Sequence, residues 1–538
     1  MQLRHANARY RRRLYDFGDR TSDYIAHQIF TTKTKAVTEI YLTKSSRPRR
    51  LFSNSKNIMK THIGTLNILA ILLINSGMAH AQQQTGAAPA TDPAAAPLSK
   101  TVGTDIVKTI RNSDQSSSLR VPPDMTIAAD GSGDFKTIQA ALDSVPRDNR
   151  QRLILFIKDG VYGEKIRIDA AFITLRGQSR AGTRIEFPQG AAEFRAQPDK
   201  LGIAVVNIDG NDCVLENLTV QNTHGVIGVH AFAVYGRGDR NIIQDCDVLS
   251  QGNDTLSMWR AGSGQFARDA APGTSPDGRY YHARLKVCGS VDFVCPRGWC
   301  YMTDSTITEV NPQATAAIWH DGSRDQDMKF VLRNCQFDGP ENWYLARHHH
   351  DAQFFLLDCT FSKKMRDQPP YRVHYPLNGG TPTEADIKRE KELDPSNIWG
   401  ERAYYCNCHR DGGDYAWHKD NLAAAPGAPK PEQITAAWTF AGKWDPERTA
   451  GPVVQKIAWN GDRIEAGFSE NVTVKGRPRL ALRSGGFAEY ASGSGSDTLV
   501  FTAPAGGRDE IVKLDLQGGF IIATEAAATL RVADAKLP

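Results

Sequence analysis

The sequence predicts an all-β protein, a parallel β-helix domain followed by a small antiparallel β-sandwich module. Three observations predict it. A phrase with a polar residue just before a strand recurs as LENLTV from 215, IIQDCDVL from 242, YMTDSTIT from 301, VLRNCQF from 331 and FLLDCTF from 355. Beyond Val453 the segments VQKIAWNG, RIEAGFSE, RLALRSGG, FAEYAS and TLVFTAPA alternate apolar with polar residues and are punctuated by Gly, as antiparallel strands are. Before the recurring phrase, helical spacing occurs once, at Ile138, Ala141, Leu142 and Val145, followed by the buried strand run RLILFIKDG.

In chain order, 538 residues exceed one ordinary core, and 40% hydrophobic with 23% charged residues excludes a disordered chain. Residues 1–60 hold 14 Lys/Arg against 4 Asp/Glu and residues 61–81 hold no charge, so the overall +5 divides into +10 for the leader and −5 for the rest. Met59-Lys60 opens a basic region, LNILAILLI is apolar but too short to span a bilayer, and Ala79-His80-Ala81 offers a small-x-small cleavage site. Residues 59–81 thus read as a secretory signal cleaved after Ala81, residues 1–58 as a mis-read or disordered leader, and the mature chain as secreted or periplasmic. A basic tail for nucleic acid or membrane is the competing reading of that leader. Residues 82–118, rich in Ala, Pro, Gln and Ser, read as a linker. The β-helix is assigned to 119–450 and the terminal module to 453–538.

The intervals of the recurring phrase, from Asn217 to Asp245, Asp304, Asn334 and Asp358, are 28, 59, 30 and 24 residues. They suit single coils of a β-helix with one doubled interval, each coil stacked about 4.8 Å from the next. Cys246, Cys335 and Cys359 share one phase of the phrase and are expected in an interior stack, where a free thiol acts as a small hydrophobe. A Cys335–Cys359 disulfide is the alternative, open to an exported chain. Cys288, Cys295 and Cys300 are expected to brace their loop, one pair bridged. Cys406-Asn-Cys408-His409 is a weak metal signal.

Chemistry concentrates at Asp254 in QGNDTLSM, Asp292 in GSVDFV, Arg347 in YLARHHH, and the polar pair His230 and Asn253. An Asp after a strand is ordinarily a turn former. Asp292 is less ordinary, because a carboxylate between Val291 and Phe293 must either be paired in a core or lie on a face that uses it. Coils bring distant residues side by side, so two carboxylates and a guanidinium from three coils can share one groove. Close carboxylates resist joint ionisation, which yields an acid and a nucleophile from the same residue type. Spacing leaves open which takes which role. The HHHD run at 348–351 alternates faces on a strand, and no metal or cofactor is assigned.

Four motifs in order resemble the pectinesterase (pectin methylesterase) family over roughly residues 124–450: GDFKTIQAALDSVP with FIKDGVYGEKIRI, the block from NLTVQNTHG to QGNDTL, GSVDFV, and YLARHHH. The terminal module resembles the Ig-like repeats appended to bacterial exported proteins. The family resemblance implies a right-handed parallel β-helix, Asp292 as nucleophile, Asp254 as acid then base, and Arg347 orienting Asp292. It further implies substrate contacts from Arg347, His349 and Phe293, and a pectin or related uronate polysaccharide as partner of a monomer, with no nucleic acid and no membrane span. His230 and Asn253 stand where the family has glutamines, implying an altered oxyanion site. His348-His349 replaces Pro-Trp after the arginine, removing an aromatic platform; Trp299, Trp319 and Trp343 are candidate substitutes, although a lone Trp is more often core than platform. Arg260, Arg297 and Arg324 are candidates to face a polyanionic product. The altered residues keep open an esterase or thioesterase of the same fold, an inactive polysaccharide-binding β-helix, and a calcium-dependent lyase.

Overall fold

The computed structural model describes residues 121–260, 278–320, 325–348, 351–374, 383–393, 402–525, 533 and 537–538. The leader, signal segment and linker read from the sequence lie outside them. No described helix is long and apolar enough to cross a membrane.

From Met125 to Arg410 the chain winds as a β-helix, laying strands successively in three parallel sheets of ten, nine and eight strands. One coil, for example, runs Asn241–Gln244 in the first sheet, Asp247–Leu249 in the second and Leu256–Met258 in the third. Every ladder is in-register parallel, so equivalent residues superpose. In the third sheet Val206, Val234, Leu256, Val294, Ile318 and Ala346 stack as an inward column, all buried in the main core. Burial of this kind contributes roughly 25 cal/mol per Å² of apolar surface.

The recurring polar residue has a backbone cause. Asn217, Asp245, Asp304, Asn334 and Asp358 all have φ between 51° and 57°, the left-handed conformation that Asn and Asp tolerate best. Each turns the chain from the first sheet into the second. Arg284 (φ 55°) fills the doubled interval, and Asn407 (φ 52°) extends the series. The turn side chains also bond coil to coil: Asn334 donates to Asp304 at 2.6 Å, Asn407 to Asp358 at 2.8 Å, and Arg284 forks onto Asp245.

The helix expected at the start spans Ile138–Asp143, capped by Thr137 and burying Ile138, Ala141 and Leu142. Glu164 accepts from its first two amides, at 2.8 and 3.1 Å. Short helices at Ala191–Ala196 and Glu384–Leu393 lie in loops between strands. The segment after residue 420 covers the outer face of the first sheet: Leu422, Ile434, Ala436, Phe440 and Trp444 pack on Val214, Ile242, Tyr281, Tyr301 and Phe355.

Beyond Val453 the strands are antiparallel and form one curled seven-stranded sheet around its own core. Arg463–Lys475 is the strand that bends, pairing with Ser496–Thr502 through its first half and with Phe520–Ala523 through its last residues. Two of its strands, Ile511–Asp515 and Phe520–Ala523, lie beyond the segments read from the sequence. The sheet is fastened to the start of the β-helix. The backbone N–H of fully buried Arg152 donates to Thr473 Oγ1 and its guanidinium to Thr524 O, while Lys475 pairs with Asp124 at 2.6 Å.

All nine cysteines are free, which corrects both disulfide expectations. Cys288, Cys295 and Cys300 lie on strands of the second, third and first sheets respectively, so three walls of the solenoid separate them. Cys335 and Cys359 are fully buried beside one another as thiols, together with Cys246 in the main core, in keeping with the interior positions expected. Burial pushes the Cys246 thiol up to about 12.

The left-handed turn is open to a direct test at exposed Asn334. Asn334→Val is expected to destabilise the protein by about 1–3 kcal/mol, because a β-branched residue is strained there and the bond to Asp304 is lost. Asn334→Gly is expected to cost less. Chemical denaturation of both variants measures the difference.

Candidate active site

The turns entering the third sheet carry the chemistry. Asp254 and Asp292 each lie two residues before the paired Leu256 and Val294, so they occupy the same slot on adjacent coils. Both are left-handed, at φ 56° and 52°. Their amides donate onward to the following coil, Asp254 N to Val291 O at 3.0 Å and Asp292 N to Ala316 O at 2.8 Å. This fixes both backbones while the carboxylates stay slightly exposed, at 6% and 9% for the whole residues.

Arg347 reaches Asp292 from two coils further on. Its Nε and Nη2 donate to Oδ1 and Oδ2 at 2.8 and 2.7 Å, a two-pronged fork that fixes the carboxylate plane. The guanidinium lies 5.3 Å from the Trp319 ring centre on one neighbouring strand, and the Arg347 backbone is in register with Tyr371 on the other. His230 Nε2 lies 3.0 Å from Asp254 Oδ2. The structure thus gathers Asp254, Asp292, Arg347 and His230.

The electrostatic balance at Asp292 is clear in direction. Burial raises its carboxyl above the ordinary value, and the charge of Asp254 raises it further. Arg347, by charge and hydrogen bonds, and His230 pull it down, and burial outweighs them. At Tyr371 burial likewise raises the hydroxyl, opposed by Arg347 and assisted by Asp292.

Several expectations are corrected. Phe293 is fully buried in the main core, so it offers no surface to a substrate. The Asn253 amide donates one hydrogen to Gly228 O at 3.1 Å and accepts from Ser290 Oγ at 2.8 Å, so beside its expected oxyanion role it fastens the neighbouring loop. Of the two His230 ring nitrogens expected to be able to donate to an oxyanion, Nε2 is engaged by Asp254. Trp299, Trp319 and Trp343 are 8%, 4% and 0% exposed, which places them in the core, the commoner role of a lone Trp, rather than on a platform. His349 and Arg324 lie outside the described residues, and His348 and Asp351 are buried. Arg260 is exposed and bonds Asn211 at 3.0 Å, away from the carboxylates.

Other residues enter that sequence reasoning missed. Partly exposed Trp259 and Tyr235 contact each other edge to face at 5.3 Å, and Arg297, one of the arginines expected to face the product, stacks on Trp259 at 3.4 Å. The cue was available, since Tyr235 lies on the strand Val234–Gly236 inside the motif block and Trp259 directly follows the strand Leu256–Met258 at its end. Behind Asp292, Thr315 bonds Ser290 O and Glu309, and burial pushes the Glu309 carboxyl up to about 7. No cue in the sequence marked Glu309 or Thr315. Among the described residues, no group of three His, Cys, Asp or Glu is arranged to hold a metal ion.

Residues 124–356 match the model of the pectinesterase family. A pectinesterase of Petunia integrifolia is 28% identical over 228 residues, 41% of this chain and 55% of its own length. The chain therefore spans about half the length of that relative. Pectinesterase 4 of Arabidopsis thaliana is 30% identical over 177 residues, 32% of this chain and 27% of its own. Among solved structures, a pectin methylesterase from Erwinia chrysanthemi aligns with 61% of this chain and 99% of its own at 18% identity and a TM-score of 0.46.

The fork on Asp292 predicts a titration shift. The Asp292 carboxyl is expected to titrate above the ordinary carboxylate value, and Arg347→Ala is expected to move its midpoint higher still by removing the charge that opposes burial. Carbon-13 NMR of labelled Asp side chains measures both midpoints, and an unchanged or lower one in the variant contradicts the assignment.

Proposed function

We propose that this chain, of the pectinesterase family across residues 124–356, is an exported aspartyl esterase that removes methyl esters from pectin. The observation that carries the reading is Arg347 forked onto Asp292, one coil from Asp254 in the same left-handed slot. The resemblance of GSVDFV, QGNDTL and YLARHHH to the family's motifs supplies the roles, and the geometry is compatible with them. The match covers the site, since Asp254, Asp292 and Arg347 all fall within 124–356.

In this reading Asp292 attacks the ester carbonyl of a methylated galacturonate unit, with Arg347 holding the carboxylate ionised and oriented. Asp254 gives its proton to the departing methoxyl oxygen, leaving an anhydride between Asp292 and the substrate acyl group. Water then attacks the anhydride as Asp254 takes one of its protons and solvent takes the other. The products are methanol and a new carboxylate, and Asp292 is regenerated. Trp259, Tyr235 and Arg297 on the same wall offer stacking and positive charge to a polyuronate chain.

The test is methanol release from methylated pectin by the mature chain, with EDTA present. Asp292→Asn is expected to lower the rate by at least about a thousandfold with the fold unchanged. Turnover restricted to small aryl esters or thioesters would point to the alternative esterase. Unsaturated fragments lost on adding EDTA would point to a lyase, and binding without turnover to an inactive site.

A further inference from the structure

His230 stands where the family has glutamine, and it bonds a carboxylate rather than standing ready for an oxyanion. Its ring lies 3.0 Å from Asp254 Oδ2, with side-chain exposures of 15% and 9% for the two partners. The arrangement is held from several sides. His230 O accepts from Ala191 N at 2.8 Å, its backbone bridges to Asn253, and its ring lies 6.0 Å from Phe232. Such a built contact is more than a surface ion pair.

Resting on the esterase reading, we propose that His230 and Asp254 act as one proton-holding pair, in which the imidazole keeps a proton available to Asp254 at pH values where a lone carboxylic acid has lost it. His230 acts through Asp254 and is therefore a positioning and proton-sharing residue. An imidazole ordinarily titrates near 6.5, about two units above a carboxylate, and a carboxylate neighbour favours its charged form.

The charged groups on the elements around His230 are consistent with this. The third-sheet turns present Asp254 itself and, on the next coil, Asp292 with Arg347 neutralising it. Behind, the helix Ala191–Ala196 carries exposed Arg195 and Glu193, and Glu193 is paired with His224 at 3.3 Å. Asp292, paired with Arg347, also feels the charge of His230, and Glu193 is paired with His224, while Asp254 is an anion in bonding contact with His230.

The proton balance follows. As the Asp292–acyl bond forms and the acyl–methoxyl bond breaks, the pair's proton passes from Asp254 to the methanol oxygen, and His230 shifts its own toward Asp254. In hydrolysis of the anhydride one water proton restores the pair and the other enters solvent. Nothing is oxidised or reduced.

The experiment has two arms. In the first, kcat on methylated pectin is followed from pH 4 to 9 for the parent and for His230→Gln, which can still bond Asp254 but holds no titratable proton. The ratio of parent to variant kcat is expected to grow at least about tenfold between pH 4, where a lone carboxylic acid still holds much of its proton, and pH 8. Loss by the same factor at every pH would overturn the proposal, since packing or orientation alone would produce that. In the second arm, nitrogen-15 NMR follows the His230 ring in the parent and in Asp254→Asn without substrate. The ring is expected to hold its proton to higher pH in the parent, and equal midpoints would overturn the pairing. Failure of the parent to release methanol would instead remove the esterase reading, while the NMR comparison would still decide whether the pair exists.

Discussion

Everything in the site depends on in-register parallel stacking. In a sheet one residue of slippage turns every side chain to the opposite face, and here the inward column from Val206 to Ala346 prevents it. Pairing Leu256 with Val294 sets Asp254 beside Asp292, and the following pairs Val294–Ile318 and Ile318–Ala346 set Arg347 two coils beyond. Two coils span roughly 10 Å. That separation suits a long side chain with a rigid fork and excludes a short one. The hydrophobic column thus does for the site what a short loop could not: it fixes the relative positions of residues that lie up to 93 positions apart in sequence.

Much of this was legible in the residues, because the left-handed turn leaves a compositional mark. Asn or Asp occupies this turn at six exits from the first sheet, from Asn217 to Asn407, and the phrase they form marks the coil repeat. The mark fails at Arg284, where a residue that seldom adopts this conformation occupies the slot and is held by its fork onto Asp245. The same mark also conceals chemistry. Asp254 and Asp292 satisfy a backbone requirement that an ordinary turn former would satisfy equally, so only their neighbours across coils distinguish them.

The corrected expectations share a cause. Proximity in sequence is not proximity in space for Cys288, Cys295 and Cys300, because that stretch travels across all three walls. Phe293 follows Asp292 in sequence without sharing its surface. The left-handed residue interrupts the strand's two-residue alternation, and Phe293 and Val294 both enter the core. The terminal module was legible as strands but not as a docked part, since its attachment depends on Arg152, Thr473 and Thr524, far apart in sequence and unremarkable one by one. Together with the segment that covers the first sheet, this docking occupies other faces of the solenoid than the third-sheet wall bearing Asp292.

For the proposed esterase, in which Asp292 is the nucleophile, the remaining question is why an acid so engaged should be reactive. A carboxylate fully matched by a guanidinium in water would be stabilised and a poor nucleophile. At Asp292 burial outweighs Arg347, so the anion is more basic than an exposed one and gains more from forming a bond to carbon. The fork then has a separate role, holding the plane of the two oxygens and keeping enough of the group ionised for attack. In that reading, removing the burial would leave a well-oriented but weaker nucleophile, and removing the arginine would raise the carboxyl further and lower its ionised share. Both must act on the same carboxylate, which is why the charge is placed between Val291 and Phe293 rather than on an open loop.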